Sequence, residues 1–211
     1  MSAPRARAVF LDRDGTLVDE LGFLRRAEDL RLLPGAAEGV RLFNRAGWKV
    51  VVVTNQSGIA RGLLDEPTLA RIHARLEQEL ARGGAHVDAI LHCPHHPEEG
   101  APPFRRACDC RKPAPGLILA AARRFALDLA ASWTIGDSRR DLEAGARAGL
   151  AGGVLVLTGK GVAERESFPA NAWPLTAADL PEAARIVLGE EKKVRGDAEG
   201  RRGGRGAEEE E

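Results

Sequence analysis

The sequence predicts an α/β fold, an open parallel sheet with helices on both faces. Three observations carry this. Short, almost wholly apolar runs at Ala8–Leu11, Val50–Val53, Ala89–Leu91, Trp133–Ile135 and Val154–Leu157 read as strands buried on both sides. Segments with apolar residues at helical spacing lie between them. Four of the runs lead into polar or glycine-containing segments at the carboxyl end, where open α/β sheets collect their chemistry.

Ala8–Leu11 opens the chain and breaks at Asp12-Arg13-Asp14-Gly15-Thr16. Strand alternation sends Asp12 and Asp14 to one side and Arg13 away from them. Residues 20–33 show no clean period and read as a loop with a short ordered piece. Pro34-Gly35 opens a helix running to about Ala46, with Ala36, Val40 and Phe43 as its stripe and Gly47 as its stop. After the second strand, Asp65 caps a longer helix with Leu69, Ile72, Leu76 and Leu80 on one side, ended by Gly83-Gly84. The proline-rich stretch from about His92 to Pro115 is irregular, and a helix follows to about Leu127. Asp141 to Ala148 reads as a helix after the fourth strand. A short segment near residues 172–175 and a helix over about 179–188 close the domain. Together these describe a Rossmann-like sheet with a loop at about 92–111 and no segment long enough for a large cap domain. From residue 190 the composition turns to Lys, Arg, Gly and Glu, too poor in apolar side chains to offset ordering entropy, so 1–189 reads as the domain and 190–211 as a disordered charged tail.

Lys plus Arg and Asp plus Glu both number 31, so the chain has no net charge. That balance argues against a nucleic-acid partner, and no basic amphipathic helix points to a membrane surface. Without a signal-like apolar segment at its start or a membrane-length apolar run, the chain is expected in the cytoplasm, acting as a monomer on a small molecule. Three cysteines, all between positions 93 and 110, fit metal binding in a reducing compartment better than a disulfide framework.

Taken alone, Asp12-Arg13-Asp14-Gly15 is an ordinary turn closing a strand. Four strand ends read together say more. They offer Asp12 and Asp14, Thr54 and Asn55, Arg111-Lys112-Pro113 after the third strand, and Gly136-Asp137 with Asp141 four residues on. Carboxylates can attack phosphorus and hold Mg2+ through oxygen, while lysine, hydroxyl and amide groups steady phosphoryl oxygens. A second cluster, Cys93-Pro94-His95 and Cys108-Asp109-Cys110, pairs ligands with one residue inside each pair and twelve between. This spacing supplies four ligands for a closed, structural tetrahedral Zn2+, with His96 as a possible substitute for His95. Zinc there would staple a loop with little core of its own and fix the Arg111 and Lys112 that follow.

Phe10-Leu11-Asp12-Arg13-Asp14-Gly15-Thr16, Val52-Val53-Thr54-Asn55, Lys112-Pro113 and Gly136-Asp137 with Asp141 resemble, in order, the four motifs of the haloacid dehalogenase-like phosphohydrolases. The resemblance implies that Asp12 is the nucleophile of an aspartyl-phosphate and that Asp14 is the acid, then the base. It implies that Thr54 and Lys112 hold the phosphoryl group, and that Asp12, Asp137 and the backbone carbonyl of Asp14 hold Mg2+. Asp141 would support Lys112 or the metal. An aspartate at position 14 suits hydrolysis through a good proton donor. Together with Thr54-Asn55-Gln56-Ser57-Gly58-Ile59-Ala60-Arg61-Gly62, the zinc loop narrows the resemblance to the branch that dephosphorylates heptose bisphosphates and histidinol phosphate. Hydrolysis of the 7-phosphate of a heptose bisphosphate is the expectation. Histidinol phosphate is the nearest alternative; a zinc-stapled scaffold without catalysis and a phosphatase for nucleic-acid ends are further ones. Short loops with Glu20, Phe23, Gln56, Ser57 and Arg111 would shape specificity, beside Asn55. His73 and His86 are expected to have no function. Thr158-Gly159-Lys160-Gly161 resembles a phosphate loop only superficially, and the tryptophans read as packing.

Overall fold

The computed structural model describes residues 5–168 and 174–189. Six strands form one parallel sheet: β1 (Ala8–Leu11), β2 (Lys49–Asn55), β3 (Ala89–Cys93), β4 (Trp133–Gly136), β5 (Gly152–Val156) and β6 (Leu175–Ala177), in the order β3-β2-β1-β4-β5-β6. Their connections carry α1 (Ala36–Arg45), α2 (Glu66–Arg82), α3 (Gly116–Phe125), α4 (Arg139–Ala148) and α5 (Gly161–Glu166), and α6 spans 180–189. The order reverses at β1, which pairs with β2 on one side and β4 on the other. The crevice at the carboxyl ends of these strands is where such sheets bind ligands.

The expected fold class is found. Alternation along β1 divides the core: Val9 and Leu11 face the helices α1, α2 and α6, whereas Ala8 and Phe10 face α3 and α4. Against the first face pack Val40, Phe43, Ile72, Leu76 and Val187, and against the second Ile118, Ala121 and Ala144. Asp65 caps α2 by accepting from Thr68 N at 2.8 Å, and Gly47 follows α1 with a φ of 74°. The stretch from 12 to 35 is irregular apart from a 3-10 turn at Ala27–Asp29, and no inserted domain occurs among the described residues. No described helix is long and apolar enough to cross a membrane.

Three details differ from expectation. α4 begins at Arg139 rather than Asp141, because Ser138 caps it and Asp141 closes a capping box onto Ser138. β3 runs on to Cys93, so the first cysteine sits on the sheet itself. The Thr158-Gly159-Lys160-Gly161 run leads into the short helix α5, whose six residues carry no apolar periodicity that would announce it. Part of the expected 172–175 segment and the whole 190–211 tail lie outside the described residues.

Leu76 is fully buried between helix and sheet. Leu76→Ala should cost about 2–5 kcal/mol of unfolding free energy in urea titrations, whereas Glu77→Ala, on the exposed face of the same helix, should change it by less than about 0.5 kcal/mol.

Candidate active site

β1 ends at Leu11, but Asp12 N still donates to Ile135 O at 3.0 Å, which keeps the next residue on the sheet. The chain then turns, with Leu17 N and Val18 N both donating to Arg13 O. Gly15 has a φ of 77°, and a Cβ there would fall 2.0 Å from Asp137 Oδ2. Glycine therefore serves twice, for the left-handed backbone and for the close approach of a carboxylate.

Arg13 corrects the expectation from alternation. The strand ends at Leu11 and the chain turns at Arg13, so the period of two no longer applies there, and the arginine folds back onto its neighbour. It is 1% exposed. Nη2 lies 2.9 Å from both oxygens of Asp14 and from Gln56 Oε1, and Nε is 3.1 Å from Asp14 Oδ1. Gln56 Nε2 donates to Asp14 Oδ2 at 2.9 Å and to Thr54 Oγ1 at 2.8 Å. Gln56 thus links the acid on the first loop to the hydroxyl at the end of β2.

Beneath the cleft lies Lys112, 3% exposed. Its Nζ is 2.8 Å from Asp12 Oδ1 and 2.6 Å from Asp141 Oδ1, and donates to Val53 O at 2.7 Å. Asn55 brings it there: Asn55 Nδ2 donates to Lys112 O and Lys112 N donates to Asn55 Oδ1, both at 3.0 Å. With both ends of its amide so engaged, Asn55 fixes the backbone of Lys112 while also lining the cleft. Burial works against the Lys112 charge, but Asp12 and Asp141 outweigh it and hold the ammonium above its usual range. Burial pushes the Asp141 carboxyl up to about 6 against the pull of Lys112. Asp137 is pushed up to about 7, first by burial; its bond from Lys160 N opposes the shift, while Asp12 and Asp141 add to it.

Carboxylate oxygens of Asp12, Asp137 and Asp141 lie within 4.8 Å of one another. Three buried acids facing one lysine leave uncompensated negative charge. Such a set of hard oxygen donors suits a divalent cation of the Mg2+ type. Asp14 is outside this set by its side chain.

Cys93, His95, Cys108 and Cys110 converge as a second group. Cys110 Sγ is 3.2 Å from the sulfurs of Cys93 and Cys108, which are 3.5 Å apart, and His95 Nδ1 is 3.3 Å from Cys110 Sγ. These are the edges of a small tetrahedron, to be compared with roughly 3.8 Å around zinc from a Zn–S bond of about 2.3 Å. Burial pushes the Cys93 thiol up, so holding it as a thiolate calls for an ion in the cage. His96 is engaged elsewhere, its Nδ1 accepting from Glu98 N and Glu99 N. Arg111 leaves the cage toward the cleft, its Nη1 donating to His95 O.

A cleft of about 210 Å3 opens above Asp12, Asp14 and Thr54. Glu20, Phe23, Asn55, Gln56, Ser57 and Arg111 line it, as do three cations that sequence reasoning missed: Arg61, Arg140 and Lys160. Arg61 stacks 5.5 Å above the Phe23 ring and pairs with Glu99. Lys160 Nζ pairs with Glu20 at 3.1 Å. The Arg140 side chain has no hydrogen-bond or ion-pair partner among the described residues, although its charge opposes the upward shift of Asp141. The signal for Lys160 was the Thr-Gly-Lys-Gly run: Thr158 Oγ1 donates to Gly15 O at 2.6 Å and fastens that loop to the first. Arg140 stands between two motif aspartates, Asp137 and Asp141.

Residues 109–183 match the model of a family described as HAD-hydrolase-like. The chain is 40% identical over 180 residues to a D-glycero-beta-D-manno-heptose-1,7-bisphosphate 7-phosphatase of Photorhabdus laumondii, covering 85% of this chain and 96% of that one. It is 40% identical over 177 residues to the protein of the same name in Escherichia coli, covering 83% and 92%. Among solved structures, it resembles D,D-heptose 1,7-bisphosphate phosphatase from B. bronchiseptica complexed with magnesium and phosphate, with 39% identity, a TM-score of 0.76 and coverage of 87% and 99%.

The pH dependence of the acidic cluster is testable. Folded Asp137 keeps its proton up to about pH 7, while an unfolded aspartate loses it near 3.9. Between these values the folded state binds more protons, so this group's contribution to stability falls as pH rises. In metal-free protein, Asp137→Asn should therefore flatten the decline in Tm from pH 4.5 to 7.5, and the Tm gain from Mg2+ at pH 8 should disappear with the carboxylate. For the thiolate cage, elemental analysis should find about one zinc per wild-type chain, the occupancy of a single four-ligand site. Cys108→Ser should lose that zinc and melt at lower temperature.

Proposed function

The chain belongs to the haloacid dehalogenase-like hydrolases, and from that premise we propose that it is a magnesium-dependent phosphatase removing the 7-phosphate of a D-glycero-D-manno-heptose 1,7-bisphosphate. The observation that carries this reading is the buried contact between Asp12 and Lys112 beside Thr54, below a cleft with an arginine-lined mouth. A carboxylate held against a cation is placed to attack phosphorus while the same cation meets the phosphoryl oxygens.

In this reading Asp12 attacks the 7-phosphate. Its oxygen–phosphorus bond forms as the bond from phosphorus to the sugar oxygen breaks, and Asp14 hands a proton to that oxygen. Water then attacks the aspartyl-phosphate. Asp14 takes a proton from the water, the bond to Asp12 breaks, inorganic phosphate leaves, and Asp12 returns as a carboxylate and Asp14 as the acid. Lys112 and Thr54 hold the phosphoryl oxygens, and Asn55 and Asp141 keep Lys112 in place. Mg2+, held by Asp12, Asp137 and the Asp14 carbonyl, would neutralise phosphoryl charge. Zinc in the Cys93, His95, Cys108 and Cys110 cage would fix the loop that presents Arg111 and Lys112. For Asp14 to act, one of its contacts must lengthen, and Gln56 Nε2, which has Thr54 as a second acceptor, is the donor with somewhere to go.

The mouth also favours a bisphosphate over histidinol phosphate. Arg61, Arg111, Arg140 and Lys160 place four cations there, and Glu20 and Glu99 pair with only two of them. A second phosphate meets this charge favourably, and the amine of histidinol does not.

With purified protein and Mg2+, kcat/KM for the heptose bisphosphate should exceed that for histidinol phosphate by about a hundredfold, a difference of about 2.7 kcal/mol. Asp12→Asn should lower kcat by about a thousandfold or more while leaving the fold intact by circular dichroism, as expected when a covalent nucleophile is removed. Normal phosphate release by that variant would exclude the mechanism.

A further inference from the structure

We infer that His73 is a positioning residue for the acid–base carboxylate: its imidazole Nε2 accepts from Arg13 and fixes the guanidinium that grips Asp14. This rests on the acid–base reading of Asp14 given above.

The geometry is a chain of contacts running back from the cleft. Arg13 spends Nε and Nη2 on Asp14 and Gln56. Its remaining nitrogen, Nη1, meets His73 Nε2 at 3.4 Å. Arginine can only donate, so Nε2 must carry the lone pair and the ring proton must sit on Nδ1. His73 stands on α2, one position past the buried Ile72, and reaches the site from the helix layer. Without it, Nη1 of a side chain that is 1% exposed would lose this acceptor, and an unpaired buried donor is costly.

The surroundings keep His73 neutral. The groups facing it are Arg13 and His92, whose ring packs edge-on at 5.6 Å. The nearby carboxylate, Glu66, is 3.0 Å from His92 Nε2. Burial, then the charge of Arg13 and the neighbouring His92, push His73 down to about 3. It therefore remains an acceptor throughout the range in which an enzyme would work.

A guanidinium held at its far end by an imidazole and at its near end by Gln56 has little freedom to swing. Both oxygens of Asp14 inherit that constraint. Proton transfer to a departing alkoxide depends steeply on the alignment of the donor. A residue touching neither substrate nor metal can thus govern one step of the reaction.

The test separates leaving groups. A sugar alkoxide needs a proton as it departs, whereas nitrophenolate does not. First-turnover release of the leaving group would be measured from the heptose bisphosphate and from p-nitrophenyl phosphate. His73→Leu should slow release from the sugar phosphate about tenfold and from the aryl phosphate by less than about twofold, as expected for a misaligned acid. His73→Gln, which retains an acceptor, should recover most of the loss. Arg13→Lys, which keeps the charge but not the fork, should show the same split and serves if the leucine variant does not fold. Equal slowing of both substrates, or no slowing of either, would overturn the inference. Asp14→Asn separates the two levels. A split in that variant without one in His73→Leu or Arg13→Lys defeats positioning alone, and no split in Asp14→Asn defeats the acid–base reading itself.

Discussion

The site depends on one buried cation. Lys112 is almost wholly out of water, with Asp12, Asp141 and the carbonyl of Val53 within 2.8 Å of its ammonium. Removing a lysine from water is expensive unless its charge and its protons are met, and here both are. The carboxylates are bound by the same logic, since Asp12 and Asp141 would be far less tolerable at this depth without the lysine. The three side chains come from three distant parts of the sequence and can be satisfied only together. Folding therefore delivers the charged floor of the cleft as a unit.

Two devices place that lysine. On the sheet side, both ends of the Asn55 amide bond to the backbone of Lys112. On the loop side, the Cys and His cage gathers residues 93–110 directly before Arg111. One side chain of the cage starts on β3 itself, which anchors the loop to the sheet two strands from β1. A metal ion in the cage would stabilise a stretch that contributes few apolar side chains to either core. Close backbone approach completes the arrangement. Gly136 packs where a Cβ would lie 2.4 Å from Asp141 Oδ2, and Gly15 leaves room for Asp137.

Charge is layered through the site. Acids crowd the floor around the lysine, and burial raises the proton affinity of Asp137 and Asp141. Arginine and lysine ring the mouth. Between them stands Asp14, gripped by Arg13 and by Gln56. A doubly charged ligand entering from the mouth would meet cations first and would need a divalent cation at the floor to offset the acids. Arg13 shows how a residue inside a strand-end motif can bind the side chain of its own neighbour.

The parallel sheet, the strand ends and the convergence of the Cys and His residues were legible in the sequence because each has a local signature. Buried strands are continuous apolar runs, Asp65 sits at a helix start, and the Cys and His residues keep tight spacing. The acids and lysine of the floor were legible as motifs. What only the tertiary structure decided concerns side chains that act across elements. Arg13 departs from alternation because that rule holds only while the backbone is extended, and the strand ends two residues before it. Asn55 carries no local sign of its partner, which lies 57 residues away; only the packing of β2 against the loop after Cys110 shows that its amide holds the Lys112 backbone. Lys160 reaches the mouth because the loop after β5 folds over Gly15 and Asp137, and Arg140 because it sits in the first turn of α4 beside the end of β4. His73 lay on a helix whose pattern explained its apolar neighbours and not itself. Sequence by itself determined which chemistry the chain can carry, since that follows from residue types at strand ends. Tertiary structure decided which of those groups line the cleft and which hold another residue still, because that depends on distances between segments far apart in the chain.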